Sequence, residues 1–307
     1  MGFFSSNYES SGAGIPKDEP KKKGIARFFQ ILFRKFWKII QVNILYSCAF
    51  IPLIIALYAF FNMSNLKLCI AVVLICMAAF ALIIGPATAA MMKILRNYTL
   101  EKHAFILTDF KKSFTDNYKK SLAVGIIDIV FIISISSAMY VYPNLAKTYD
   151  NKMIWIPFII SVSIAIVLIM MNFYAYLMIV ATDISFKNVI KNSLALSFIA
   201  FKKNFLTLVI SAAIILAFTV LIIFNLSFLM LLPFVPAAFI AFIVCFNSYP
   251  VIQKYVINPY YEERGEVNPE LDEFSEDDED DETLFTDMGG KEKPIESKKT
   301  KKGKTIS

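Results

Sequence analysis

Between residues 39 and 249 the chain alternates long apolar runs with short polar connections. A helix needs about 20 predominantly apolar residues to cross about 30 Å of hydrocarbon. Six runs meet that requirement, at roughly 39–61, 66–92, 122–142, 153–181, 205–224 and 227–249. Helix is the form required, because lipid offers no partner to an unpaired backbone group. Only Asn225-Leu226 divides the last two runs, which predicts a tight helical hairpin. The pattern therefore predicts an all-α membrane protein: a bundle of six transmembrane helices over 39–261, behind a basic arm at 1–38 and ahead of a tail at 262–307.

Two connections carry a pattern of their own. In 103–120, Leu107, Phe110, Phe114 and Tyr118 recur at helical spacing, with Lys111, Lys112, Asp116, Lys119 and Lys120 mostly on other faces. That spacing predicts an amphipathic helix lying at a headgroup layer, its lysines reaching toward anionic lipid. In 185–203, the residues Phe186, Val189, Ile190, Leu194, Phe198 and Phe201 form a second broad apolar face. Either face could anchor in the lipid interface or dock a cytoplasmic partner, for which Phe110, Phe114, Lys111 and Lys112 are the candidates. Ser113-Phe114 followed by Lys119-Lys120 resembles Ser197-Phe198 followed by Lys202-Lys203, which predicts a parallel repeat of helical pairs.

Charge orients the bundle. The arm, the two amphipathic connections and the tail hold 28 of the 31 Lys and Arg residues, and the other three connections hold Lys67, Lys147 and Lys152. Basic connections stay in the cytoplasm, so both termini are expected there, in a cell membrane. The net charge of +6 hides a division: residues 1–261 carry 23 basic and 9 acidic side chains, whereas 262–307 carry 8 and 16. With 57% apolar and 18% charged residues, against about 25% charged in an ordinary soluble domain, a simple soluble enzyme is excluded.

Within the spans, Pro52 in the first and Pro233 and Pro236 in the sixth are each expected to remove a helical hydrogen bond, whereas Pro157 lies in a first turn. Gly85, Pro86 and Ala89 form the most distinctive local string. Gly85 and Ala89, four apart, make a notch for a second backbone, and Pro86 predicts a kink near Leu82. Asp128 is the one carboxylate well inside a span, and such groups are functional candidates because burying them is expensive. Its expected partner is a proton, Asn43, Asn172 or a snorkelling lysine.

Catalytic chemistry is sparse. His103 is the only histidine, and one imidazole makes neither a zinc site nor a Ser-His pair. The four cysteines all lie in apolar runs and read as buried apolar side chains. The expectation is a protein without catalytic residues, cofactor or metal. Residues 1–24, rich in Ser, Gly, Pro and Lys, and the tail with its acidic run at 276–282 are expected to be disordered. No cleavable leader is expected, since the first apolar run is too long for one.

Several strings taken together resemble a known family. Met1-Gly2-Phe3-Phe4, Asn43-Ile44-Leu45-Tyr46 leading to Pro52, and Gly85-Pro86-Ala87-Thr88-Ala89 resemble those of YesL-like proteins. So does Leu95-Arg96-Asn97-Tyr98 through Glu101-Lys102-His103-Ala104-Phe105 to Asp109-Phe110 and Asn117. These are bacterial integral-membrane proteins classed as a domain of unknown function, and the resemblance covers roughly 1–261. It implies a multi-span cell-membrane protein with an accessory role in carbohydrate import, and transfers no site residues. The acidic tail departs from the shorter family ending.

The function expected is thus that of a non-catalytic accessory or assembly factor for a carbohydrate uptake system, with the bilayer, its anionic headgroups and sugar-importer subunits as partners, and no nucleic acid. The alternative is a small-molecule transporter or channel acting on its own, with Asp128 and the proline-bearing helices lining a path. A permease subunit of an ATP-driven importer is a weaker third reading, because its E-A-A-x-x-x-G coupling signature is absent.

Overall fold

The computed structural model describes residues 24–270, so the expected disorder of the N-terminal segment and of most of the tail lies outside the described residues. The chain forms two compact units, one ending at Ile257 and one beginning at Asn258. In the second, the described part has a short helix, Asn258–Glu262, a turn with Arg264 over the Tyr260 ring at 4.2 Å, and an Asn268 amide donating to Asn258 Oδ1 at 2.9 Å.

The first unit is built of helices, with no strand among the described residues, and the described residues hold six helical stretches long and apolar enough to cross a membrane. It is a multi-pass membrane protein. Its helices are α1 (Ile25–Ser47), α2 (Ile51–Asn62), α3 (Leu66–Thr99), α4 (Ile106–Asp116), α5 (Tyr118–Tyr149), α6 (Trp155–Ala181), α7 (Phe186–Ile199), α8 (Phe201–Phe224) and α9 (Pro236–Ile252). At 1.5 Å per residue its 34 residues make α3 about 51 Å long, more than the ~30 Å of hydrocarbon that a span has to cross.

Three boundaries differ from the hydropathy pattern. The first helix opens at Ile25 rather than near 39, because its start is amphipathic: Ile31 is buried, and Phe28 packs on Phe242 and Phe246 at 5.4 and 5.2 Å. A 3₁₀ turn at Cys48–Phe50 then divides this span, so Pro52 stands in the first turn of α2 and interrupts nothing. In the connection expected to be one helix over 103–120, α4 ends at Asp116, and Tyr118, Lys119 and Lys120 already belong to α5. The sixth helix starts at Pro236, not 227. Leu226–Leu231 is 3₁₀, and Pro233 and Pro236 lie before or at the start of α9. Neither proline can donate a helical hydrogen bond, so they set where the helix begins instead of breaking it, and the expected tight hairpin becomes a longer excursion.

The same order occurs twice: spanning helix, short helix, spanning helix, as α3–α4–α5 and as α6–α7–α8. Tyr118-Lys119-Lys120 and Phe201-Lys202-Lys203 open the second spanning helix of each set. The core lies in the half of the bundle nearest those lysines. There α3 is buried from Gly85 to Thr99, α6 from Met170 to Ile179 and α9 from Ala238 onward. Toward the other end the helices expose large apolar side chains such as Ile54, Leu74, Ile133 and Ile159, as lipid-facing positions do.

Candidate functional site

The site begins where α3 and α5 cross. A Cβ on Gly85 would run into the backbone carbonyl of Ser121, and one on Gly125 would lie 2.7 Å from the Gly85 Cα. Only a residue without a side chain lets the two backbones approach so closely. Ala89, four residues on, is fully buried, and α3 runs unbroken through Pro86, whose missing N–H leaves the Leu82 carbonyl without a helical donor. Thr88 and Asp128 each follow a crossing glycine by three residues.

Asp128 is half-buried and held by two neutral donors from α6. The Asn172 amide donates to Oδ1 at 2.9 Å, and the Tyr176 hydroxyl donates to Oδ2 at 2.7 Å. Asn172 and Tyr176 lie one helical turn apart, so α6 presents both from a single face. These groups line a cavity of about 270 Å³ together with Tyr46, Thr88 and apolar walls that include Met91, Phe131, Leu168 and Val244. Thr88 donates to the Ile84 carbonyl at 2.8 Å and pairs with the Tyr46 hydroxyl at 3.3 Å. No lysine, arginine or histidine lines it. The arrangement can bind a small polar solute, and among the described residues no group of three or more His, Cys, Asp or Glu could hold a metal ion.

Asn43, expected beside Asp128, works elsewhere. It is fully buried, donates to the Leu232 carbonyl at 3.1 Å and accepts from the Ala238 N–H at 2.6 Å. It thereby caps α9 from a distant helix and satisfies the irregular backbone ahead of it. Of the alternatives for Asp128, the structure places Asn172 against it. Tyr46, Thr88, Tyr176 and Gly125 went unremarked as site residues. Two signals could have found them: Tyr176 repeats Asn172 one turn on, and Gly125 precedes Asp128 on the same face.

The docking candidates sit at the lysine-rich end. Lys111 and Lys112 are exposed, whereas Phe110 and Phe114 are half-buried and the residue of α4 turned fully inward is Ser113. In α7 the buried face is Val189, Ser193, Leu196 and Ser197, leaving Leu194 and Phe198 outward. On both short helices small serines line the side turned into the protein and let it lie close against the spans, while Leu107, Leu194, Phe198 and Phe201 of the apolar stripes stay exposed.

Glu101, at a left-handed φ of 63°, pins this end together. It pairs with Arg27 at 3.5 Å and with Arg34 at closer range. Partial burial pushes its carboxyl upward, but the two guanidiniums outweigh it and hold the group below its ordinary value. A carboxylate depressed in the folded state contributes stability above its unfolded value, near pH 4.5, and loses it as pH falls through the folded one. Glu101→Gln should therefore lower the melting temperature at pH 7, and the difference from the wild type should shrink as pH falls below about 4.5 and vanish only below the folded-state value. Thermal melts across pH check this, and a constant offset at every pH would contradict it.

Residues 36–141 match the model of a family described as protein of unknown function, DUF624, and the resemblance to YesL-like proteins is consistent with that family. No curated protein matches the chain, and no solved structure does.

Proposed function

We propose that this protein handles a small polar solute at the Asp128 cavity, as a non-catalytic transporter or channel acting on its own in the cell membrane, with both chain ends in the cytoplasm. The observation that carries the reading is a carboxylate inside the span region whose partners are neutral donors. Taking an ionised group out of water costs several kcal/mol. An interhelical hydrogen bond within a membrane returns only about 0.6–2 kcal/mol. As a fastener between α5 and α6, Asp128 costs more than it returns; as a solute site, the expense has a use. The cytoplasmic placement rests on the lysines gathered at one end of the bundle.

Purified protein in sealed liposomes should take up labelled 2-aminoethanol or labelled glucose faster than empty liposomes. Asp128→Asn should reduce the protein-dependent rate at least tenfold. Equal uptake by wild type and variant would contradict the reading.

A second reading, the accessory role in carbohydrate uptake, is favoured by Leu107 and Phe198. They are 72% and 59% exposed on the short helices, beside lysines. A partner protein could seat on them. Recovery of an importer subunit in fixed proportion after gentle solubilisation would support that role, and wild-type recovery by a Leu107→Ser, Phe198→Ser variant would count against these residues.

A further inference from the structure

We infer that the solute taken by the Asp128 cavity is a small ammonium-type cation, an assignment that rests on the reading of the cavity as a solute site. The argument is an accounting of donors and acceptors. The Tyr176 hydroxyl gives its one proton to Asp128, and the Thr88 hydroxyl gives its own to the Ile84 carbonyl. With the Thr88 proton committed, the 3.3 Å contact leaves Tyr46 as donor to Thr88, so that proton is spent too. Asn172 commits an amide proton to Asp128.

What the cavity still offers is mostly acceptors. Each Asp128 oxygen takes one donor and keeps lone-pair capacity. The Asn172 Oδ1 is buried without a hydrogen-bond partner. With Asp128 ionised, the site carries one negative charge, hydroxyls with no free proton, and an unsatisfied carbonyl oxygen beside the carboxylate. An anion would meet repulsion and almost nothing to donate to it. A neutral polyol would satisfy some acceptors but leave the charge unbalanced in an apolar surround. A protonated primary amine has three donors, no acceptor and the opposite charge, so it answers both demands. Cation–carboxylate hydrogen bonds are about twice as strong as neutral ones. The walls formed by Met91, Phe131, Leu168 and Val244 would receive a short alkyl portion.

The test uses the full chain in lipid nanodiscs and two probes of matched size: 2-aminoethanol, protonated at pH 7.5, and ethylene glycol, its uncharged counterpart. Calorimetric titration should show saturable binding of 2-aminoethanol at least tenfold tighter than that of ethylene glycol. Asp128→Asn should erase the difference, and Asp183→Asn, an exposed carboxylate outside the cavity, should leave it intact. The wild-type comparison stands without either variant, should one fail to fold. Equal or tighter binding of ethylene glycol would overturn the cation assignment and leave a solute site standing. Saturable binding of neither probe, or tenfold preference unchanged by Asp128→Asn, would overturn both.

Discussion

Gly85→Ala should lower the stability of the bundle by about 3 kcal/mol or more, at the upper end of what overpacking costs. The reason is the identity of the obstacle. The new methyl group would meet the Ser121 carbonyl oxygen and then the Gly125 Cα, all backbone. A side chain can rotate away, but a helix backbone moves only with its helix. Accommodating one methyl therefore means parting α3 from α5 along their whole contact. Gly125→Ala should cost a similar amount for the same reason, since its new carbon would meet the Gly85 Cα and N at 2.7 and 3.0 Å. Ala71→Val, an exposed position on the same α3, should change little. Thermal unfolding of the three variants in one detergent checks the ranking, and a Gly85→Ala protein as stable as Ala71→Val would rule out the close crossing.

The second large effect is at Asn43. Replacement by leucine keeps the volume and removes both hydrogen bonds, leaving the Leu232 carbonyl and the Ala238 N–H without partners. Each buried polar group left unsatisfied costs roughly 1–3 kcal/mol, so with two such groups Asn43→Leu should lose about 2–6 kcal/mol in total. Asn43→Asp retains the acceptor for Ala238 but sets a carboxylate against the Leu232 carbonyl in a fully buried site, so it should be destabilising as well. Both variants should melt below the wild type. Leucine as stable as asparagine would mean that water or another group satisfies the segment ahead of α9.

The six spans were legible because hydrocarbon imposes one requirement, length of apolar helix, that composition reports directly. Their ends were not. Residues 25–38 mix charged and aromatic positions, and only the Phe28 face against Phe242 and Phe246 shows why the helix starts there. The segment Leu226–Leu231 is almost entirely apolar, so hydropathy cannot separate a helix from a 3₁₀ excursion. Its shape depends on Asn43, 189 residues from the Leu232 carbonyl it holds. The amphipathic connections were legible as helices with an apolar stripe, but the serine side that packs on the spans was not. Periodicity ranks serine as polar, whereas Ser113 and Ser193 are buried because their smallness allows close packing.

Asp128 stood out in the sequence because a charge in an apolar run is conspicuous, and Asn172 followed as one of its expected partners. Tyr176 and Tyr46 did not, since tyrosine is ordinary in a span and reveals its role only when a neighbouring helix brings an acceptor to it. Gly125 was hidden for a related reason. A lone glycine marks a close approach only once the glycine opposite it is known.

The central claim is a polar, cation-selective cavity within the spanning helices, and side-chain accessibility tests it most directly. Leu168→Cys places a thiol in the cavity wall, and Ile133→Cys places one at an outward, 59% exposed position of α5. With the wild type as baseline for the native cysteines, both variants in native membranes would be treated with a cationic methanethiosulfonate and with its anionic counterpart. The account predicts that Leu168→Cys reacts at least tenfold faster with the cationic reagent, that 2-aminoethanol slows the reaction, and that Ile133→Cys stays inert. A Leu168 thiol as unreactive as the lipid-facing one, or equally reactive toward both reagents, would contradict it.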